Sequence, residues 1–370
     1  MKKVLFLIPN LAHGGAERVL VNLLNNIDKS VFEVSLQTLF DVGVNKKHLA
    51  STVHYVSGYK YCVRGNSHIM KLFSPKWLYK HFIKGKYDII VSFLEGPTAR
   101  IISGCLDSNV KLVNWIHIEQ GNKKIASRSF RSFTEAKNCY QKYNKIVFVS
   151  ETVKQDFESI FGVSNCGIVL YNVVESQKII ETSNQEIVDL KMQDDVFNIV
   201  SVAKIVHSKG YDRLMRIHKK LLSEGIKNHV YILGIGEELN AYKRYLKDNN
   251  LEDSFTFLGF RDNPYKYVKQ ADLYVCSSRR EGFSTAVTES LIVGTPVVST
   301  NCSGAYELLG KNNEYGIVTD NSEESLFLGI KKMLTTPNLL ENYAQKALER
   351  GKYFSTEKTT KAVEDMLLNL

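Results

Sequence analysis

Along the chain, short uninterrupted runs of apolar and β-branched residues alternate with longer stretches whose apolar positions return every three or four residues. The first kind of run reads as a strand and the second as an amphipathic helix. In the first half, residues 4–8, 31–36, 88–93, 111–115 and 146–149 are predicted strands, with helical spacing over 16–26, 67–84 and 129–142. From residue 196 the scheme begins again. Strands are predicted at 196–202, 230–233, 255–257, 273–276 and 296–299, and helices near 211–223, 237–248, 284–292 and 324–334. Strands that are apolar throughout are covered on both faces, the condition of a parallel sheet flanked by helices. The pattern therefore predicts an α/β chain of two doubly wound Rossmann-like domains facing across a cleft, with ligands beyond the carboxyl ends of the strands. Residues 1–175 form the expected first domain and 196–350 the second, joined by a polar connector at 176–195 whose periodic middle allows one short helix. The amphipathic end of the chain, within 351–370, is expected as a helix that packs back on the first domain.

A length of 370 residues fits two domains, and 44% apolar with 24% charged residues supplies two cores without the composition of a disordered chain. The apolar run after Met1-Lys2-Lys3 superficially resembles a secretion signal, but Pro9 closes it after five residues, too few for a signal core. A buried first strand is the expectation instead. No run approaches the roughly 18 apolar residues of a membrane span, so a cytoplasmic protein is expected, peripheral on the inner face of the cell membrane. The cysteines (Cys62, Cys105, Cys139, Cys166, Cys276 and Cys302) follow no ligand or redox spacing and are expected as reduced, small buried hydrophobes. Charge changes the picture more. Residues 1–175 hold 23 Lys and Arg against 13 Asp and Glu, so the first half carries the whole net excess of +9. Such asymmetry points to an anionic partner for this half.

Three loops carry candidate chemistry. Directly after the first strand, Asn10-Leu11-Ala12-His13-Gly14-Gly15-Ala16-Glu17-Arg18 opens a helix. Gly14 and Gly15 let the backbone approach a ligand, and the helix N-terminus offers N–H donors to an anion. The plain alternative is a strand-to-helix turn. After the first strand of the second half, Lys204 and Lys209 bracket a loop that ends at Gly210, so two ammonium groups can meet one phosphate cluster. Further on, Arg280-Glu281-Gly282-Phe283-Ser284-Thr285 leads into a helix whose second turn carries Glu289. Its backbone N–H groups suit an anion and its two carboxylates suit sugar hydroxyls; a solvated helix face is the plain alternative for Glu289, and a favourable acid near a helix N-terminus for Glu281. Gly234-Ile235-Gly236 lacks the third glycine of a dinucleotide fingerprint.

These pieces, together with Phe257-Leu258-Gly259 and Gly294-Thr295-Pro296-Val297-Val298, follow one order over residues 4–318. In that order the chain resembles glycosyltransferase family 4, retaining enzymes of GT-B architecture active in cell-surface polysaccharide synthesis. The resemblance implies a nucleoside diphosphate sugar, UDP-linked by preference, as co-substrate. It assigns the donor pyrophosphate to Lys204 and Lys209, the ribose hydroxyls to Glu289, and the transferred sugar to Glu281 beside the backbone of Gly282, Phe283, Ser284 and Thr285. Gly15, next to Gly14, would approach the distal phosphate, and Phe260 and Arg261 would flank the base. His117, at the end of a first-half strand, matches a histidine that positions the donor sugar or acceptor. Two positions depart from the pattern: Lys204 stands where arginine is usual and lacks its bidentate fork, and Ser284 stands where glycine is frequent. Lys209, with Glu281 and His117, would carry the catalysis, because fixed positive charge stabilises the leaving diphosphate; no metal cofactor is expected. Two alternatives are a nucleotide-sugar epimerase of similar fold and a binding protein without transfer.

The basic excess also bears on the acceptor. Lys71, Lys76, Lys80, Lys84 and Lys86 are interleaved with Phe73, Trp77, Tyr79 and Phe82, and Lys123, Lys124, Arg128, Arg131, Lys137 and Lys142 with Phe130, Phe133 and Tyr140. Basic and aromatic residues on helical stretches suit an anionic membrane surface, and with it a polyprenyl-diphosphate-linked glycan acceptor. A solvated basic face over core aromatics is the alternative. Nucleic acid is not expected, since no recognition module accompanies the charge.

Overall fold

The apolar runs form two wholly parallel sheets. A computed structural model of the chain describes residues 1–12, 14–61, 65–163 and 166–370. It resolves into one unit of residues 1–174 with 356–370 and a second of 175–355. In the first, β1 (Lys2–Ile8), β2 (Phe32–Thr38), β3 (His54–Val56), β4 (Ile89–Ser92), β5 (Lys111–Ile116), β6 (Lys145–Phe148) and β7 (Gly167–Val169) lie in the order β3-β2-β1-β4-β5-β6-β7. In the second, β8 (Phe197–Val202), β9 (Asn228–Leu233), β10 (Phe255–Gly259), β11 (Leu273–Cys276), β12 (Val297–Thr300) and β13 (Ile317–Thr319) lie in the order β10-β9-β8-β11-β12-β13. The winding reverses between β1 and β4 and again between β8 and β11, which opens a crevice at the carboxyl edge of each sheet. Residues 4–8 of β1 are fully buried, as a central strand covered by helices on both faces requires.

The strands absent from the sequence pattern are β3, β7 and β13, each three residues long and each at a sheet edge. Such strands contribute too few apolar positions to register as runs. The helix predicted over 67–84 is broken into Asn66–Met70 and Pro75–Phe82. Pro75 cannot continue a helix but suits its first position, and Ser74 caps the second piece by accepting from Trp77 N–H. Arg100 closes the break: buried, it donates to the carbonyls of Met70 (2.9 Å) and Phe73 (2.8 Å) and pairs with Glu135 (2.9 Å). Phe130 and Tyr140 are core residues, so the second basic–aromatic stretch is a solvated face over core rings.

Residues 176–195, expected as a connector, belong to the second unit. Helix Ser176–Ser183 packs on helices Tyr265–Gln270 and Thr285–Val293, and Asn263 and Lys266 donate to the Thr182 and Glu186 carbonyls, both at 2.9 Å. The C-terminal helix, Thr356–Leu368, packs on Gly15–Asn26 of the first unit, where Lys2 Nζ donates to the Leu367 and Leu368 carbonyls at 3.1 Å. Cys139 and Cys276 are buried, Cys105, Cys166 and Cys302 are half-buried, and all five are free thiols; Cys62 lies outside the described residues.

Arg100→Ala leaves Glu135 partly buried without its ion-pair partner and the Phe73 carbonyl without its guanidinium donor, while the Met70 carbonyl keeps the Phe73 N–H at 3.2 Å. The substitution is expected to cost about 3–5 kcal/mol. Trp77 and Trp115, the two tryptophans, both lie in the first unit, so urea unfolding followed by their fluorescence checks this directly.

Candidate active site

In the second unit the crevice is bounded by the loop after β8, residues 203–210, and the loop after β11, residues 277–284. Their backbones touch. Gly210 has φ +69°, and a Cβ there would lie 2.1 Å from the Ser277 carbonyl oxygen, so both conformation and closeness demand glycine. Ser277 Oγ donates to the Lys209 carbonyl at 2.8 Å, and Arg279 N–H to the Ser208 carbonyl at 2.7 Å. The Arg279 guanidinium pairs with Asp212 at 2.7 Å across the same seam.

This seam brings Lys209 and Glu281 together. Lys209 Nζ and Ser278 Oγ both donate to Glu281 Oε1 at 2.6 Å. The side chains are 23% and 13% exposed, open enough to meet a ligand and sheltered enough for the charges to matter. Burial opposes the Lys209 charge, but the Glu281 carboxylate outweighs it and holds the ammonium pKa above its ordinary value. Lys204, one residue pair beyond β8, is exposed. The loop beneath it is held by Gly234 and Gly236, whose Cβ positions would fall 1.9 Å and 2.1 Å from the Ala203 and Ile205 carbonyl oxygens. Those glycines therefore serve loop-on-loop packing.

Beyond Glu281 the chain turns into helix Thr285–Val293, with Ser284 as its N-cap. Gly282 and Phe283 are buried, and Phe283 packs edge-on against Phe354 at 5.9 Å. Glu289, in the second turn, is half-buried and accepts from Tyr265 Oη at 3.5 Å, so it faces a neighbouring helix rather than open solvent. Phe260 follows β10 and is 52% exposed, while Arg261 pairs with Asp189 at 2.9 Å. β10 lies two strands from β8, about 10 Å along the sheet edge.

In the first unit, Gly14 and Gly15 open helix Gly15–Asn26 after β1; His13 lies outside the described residues. A Cβ on Gly14 would meet Glu17 Oε2 at 1.8 Å, so this helix N-terminus already holds a carboxylate against its backbone. His117 follows β5, and its backbone N–H donates to Glu95 Oε2 at 3.0 Å. Its imidazole packs on Phe93 with centroids 4.9 Å apart, and Nε2 is buried without a partner. Burial pushes its pKa down to about 3, against a smaller opposing effect of the Phe93 backbone. His117 is thus a neutral imidazole.

The chain matches two family models, "Glycosyltransferase Family 4" over residues 13–178 and "Glycosyl transferases group 1" over residues 183–350. Between them they cover both units. The chain belongs to glycosyltransferase family 4. It is 28% identical, with all of both chains covered, to the N-acetylgalactosamine-N,N'-diacetylbacillosaminyl-diphospho-undecaprenol 4-alpha-N-acetylgalactosaminyltransferase of Campylobacter jejuni. Among solved structures it is similar to Anabaena HepE in complex with UDP and glucose (TM-score 0.77, 18% identity, 100% of both chains). It is also similar to sucrose-phosphate synthase of Thermosynechococcus elongatus (TM-score 0.81, 14% identity, 100% of this chain and 99% of that one). At such identities the likeness of the solved structures establishes the two-domain GT-B fold.

For a family 4 glycosyltransferase the sequence motifs pick out the outer residues of this seam but miss what binds it together. Ser278, Arg213 and Thr300 were given no role by spacing. Arg213 lies in the Lys209–Leu214 stretch that resembles the family, and it stands four and eight residues before Ile217 and Leu221, on the apolar face of its helix, where all three are buried.

Two outcomes follow from this geometry. Lys209→Met and Glu281→Gln should each destabilise the second unit by about 1–3 kcal/mol, less than a fully buried pair because both side chains retain some exposure. The double variant should lose less than the sum, measurable as coupling in urea unfolding. For His117 the unfolded chain takes up a proton near 6.5 and the folded chain only near 3. Its contribution to stability is therefore present above pH 6.5 and is lost as pH falls towards 3. Its imidazole NMR signals should stay constant between pH 8 and 5; a signal absent from His117→Gln that titrates near 6.5 would contradict a neutral buried ring.

Proposed function

We propose that this family 4 glycosyltransferase transfers a sugar from a nucleoside diphosphate sugar, UDP-linked by preference, to a hydroxyl of a lipid-linked glycan, with retention at the anomeric carbon. The observation that carries the reading is the Lys209–Glu281 pair at the crevice between β8 and β11, where residues 72 apart in sequence meet at 2.6 Å. Lysine alone would be a loop cation. Held beside a carboxylate and before the N-terminus of helix Thr285–Val293, it suits a ligand with a phosphate at one end and hydroxyls at the other. Lys204 and Lys209 take the diphosphate, Glu281 the hydroxyls of the transferred sugar with the backbone of Gly282–Thr285, and Glu289 the ribose. The base lies by Phe260, at a distance along the sheet edge that suits a nucleotide. Gly15, beside Gly14, is assigned the approach to the distal phosphate, and His117 the positioning of the donor sugar or acceptor.

As the bond from the anomeric carbon to the phosphate oxygen breaks, its electron pair leaves with the diphosphate, where Lys209 and the helix N-terminus meet it with fixed positive charge. The acceptor oxygen bonds to the anomeric carbon on the same face and its proton passes to the departing phosphate. No metal has a part in this step. The Campylobacter relative, named for an acceptor on diphospho-undecaprenol, supports the lipid-linked class. The Anabaena structure, a complex with UDP and glucose, supports the uridine nucleotide.

A second observation bears on where the acceptor is met. Phe73, Trp77 and His81 form one exposed stack, with centroids 4.2 Å and 4.8 Å apart, and Tyr59 Oη joins His81 at 2.6 Å. Leu72 beside it is 76% exposed and Ile69 is also exposed, among Lys71, Lys76, Lys80 and Lys84. Exposed aromatic rings beside exposed aliphatic side chains and lysines suit the headgroup level of a bilayer. We assign this stack to docking on the anionic cytoplasmic leaflet. No helix among the described residues is long and apolar enough to cross a membrane.

Lys209→Ala should lower turnover by about 10²–10³, as loss of one donor to a developing anion does. Nucleoside diphosphate release, measured with and without acceptor, checks this; an epimerase alters the sugar without acceptor-dependent release, and a binding protein does neither. Flotation with anionic vesicles should succeed at low salt and fail at high salt, since each basic group near the surface contributes about 1 kcal/mol. Phe73→Ser with Trp77→Ser should abolish it while release to a soluble acceptor survives.

A further inference from the structure

Arg213 occupies the first turn of helix Tyr211–Ser223, where a cation adds unfavourably to the positive end of the helix dipole. It is nevertheless only 4% exposed. Nε and Nη2 donate to the Ser277 carbonyl at 2.8 and 2.5 Å, and Nη2 also reaches the Ser278 carbonyl at 2.7 Å. On its other side it reaches Asn321 Oδ1 at 2.9 Å and the Asn321 carbonyl at 3.4 Å. Every one of these acceptors is neutral. The adjacent carboxylate, Asp212, is paired instead with Arg279 at 2.7 Å and Arg216 at 3.1 Å. A guanidinium does not give up its proton in a protein, so a whole positive charge is buried here, hydrogen-bonded but without an acid of its own.

Burying such a charge is unfavourable unless its hydrogen bonds hold something of use. The carbonyls it holds belong to the two serines that organise the seam. Ser277 Oγ donates to the Lys209 carbonyl and Ser278 Oγ to Glu281 Oε1, while Thr300 Oγ1 donates to the same Ser278 carbonyl at 2.5 Å. A planar fork with several N–H groups can fix two successive carbonyls and a third segment at once; an ammonium cannot.

We propose that Arg213 is a positioning residue for sugar transfer: its guanidinium fixes the Ser277 and Ser278 carbonyls so that Ser278 and Lys209 hold Glu281, and its unneutralised charge strengthens binding of the donor diphosphate. This rests on the transferase reading given above. The wild-type protein and Lys209→Ala, titrated with UDP by calorimetry, test that reading on its own; no UDP binding by the wild type would remove it and this proposal with it.

Given UDP binding, Arg213→Lys and Arg213→Met separate the two contributions. Arg213→Lys keeps the charge and loses the fork, so turnover should fall about tenfold or more while UDP affinity stays within about threefold. Arg213→Met loses both, so UDP affinity should fall at least about tenfold while uridine affinity, read by ligand-observed NMR, is unchanged. A merely structural role would weaken UDP and uridine alike, and that result overturns the proposal. Wild-type turnover and UDP affinity in both variants overturn it equally. If Arg213→Met fails to fold, Arg213→Lys decides: lost turnover with retained UDP affinity supports the assignment, and unchanged turnover refutes it.

Discussion

The reversal of winding between β8 and β11 is the constraint on which the rest of the second unit depends. A parallel sheet sends every strand's following loop to the same edge, and adjacent loops normally diverge to helices on one face. At the reversal they diverge to opposite faces and leave a crevice. Here the two loops do not simply flank that crevice but are sewn to each other, through a glycine at 210 that admits the Ser277 carbonyl and through two serines that tie Lys209 to Glu281. A cation and a carboxylate are thereby held at one point by backbone contacts rather than by flexible loops alone, the kind of preorganisation that charge stabilisation requires.

Most of the sheets was legible from apolar runs, because central strands are buried on both faces and leave a continuous signal. β3, β7 and β13 were not, since a three-residue edge strand is specified by its neighbour's backbone more than by its own side chains. The break at Pro75 was visible as a residue but lost within a long periodic stretch. The supposed connector was misread for a related reason: residues 176–195 are polar on average, yet Ile179 and Ser183 are enough to seat a short helix against the second unit.

The candidate site was legible at its rim. Lys209, Glu281, Ser284 and Glu289 stand in spaced motifs whose residue types declare their chemistry. What holds them could not be read, because Arg213 and Thr300 act on backbone carbonyls, which have no sequence signature, and Ser278 joins them through its own carbonyl as well as its hydroxyl. His117 shows the same limit. Its position at a strand end was plain, but only the packing on Phe93 and the unpartnered Nε2 reveal a ring kept neutral. Charge, too, was a half signal: of two basic–aromatic stretches, one covers core rings and the other carries an exposed stack.

Hydrogen exchange with mass spectrometry, in the presence and absence of UDP, tests the central claim most directly. The sewn crevice should bind the diphosphate, so exchange should slow in peptides covering 203–210 and 277–289, with a smaller effect near Phe260. Protection confined to the first unit, or absent from both loops while UDP is bound, would contradict the account.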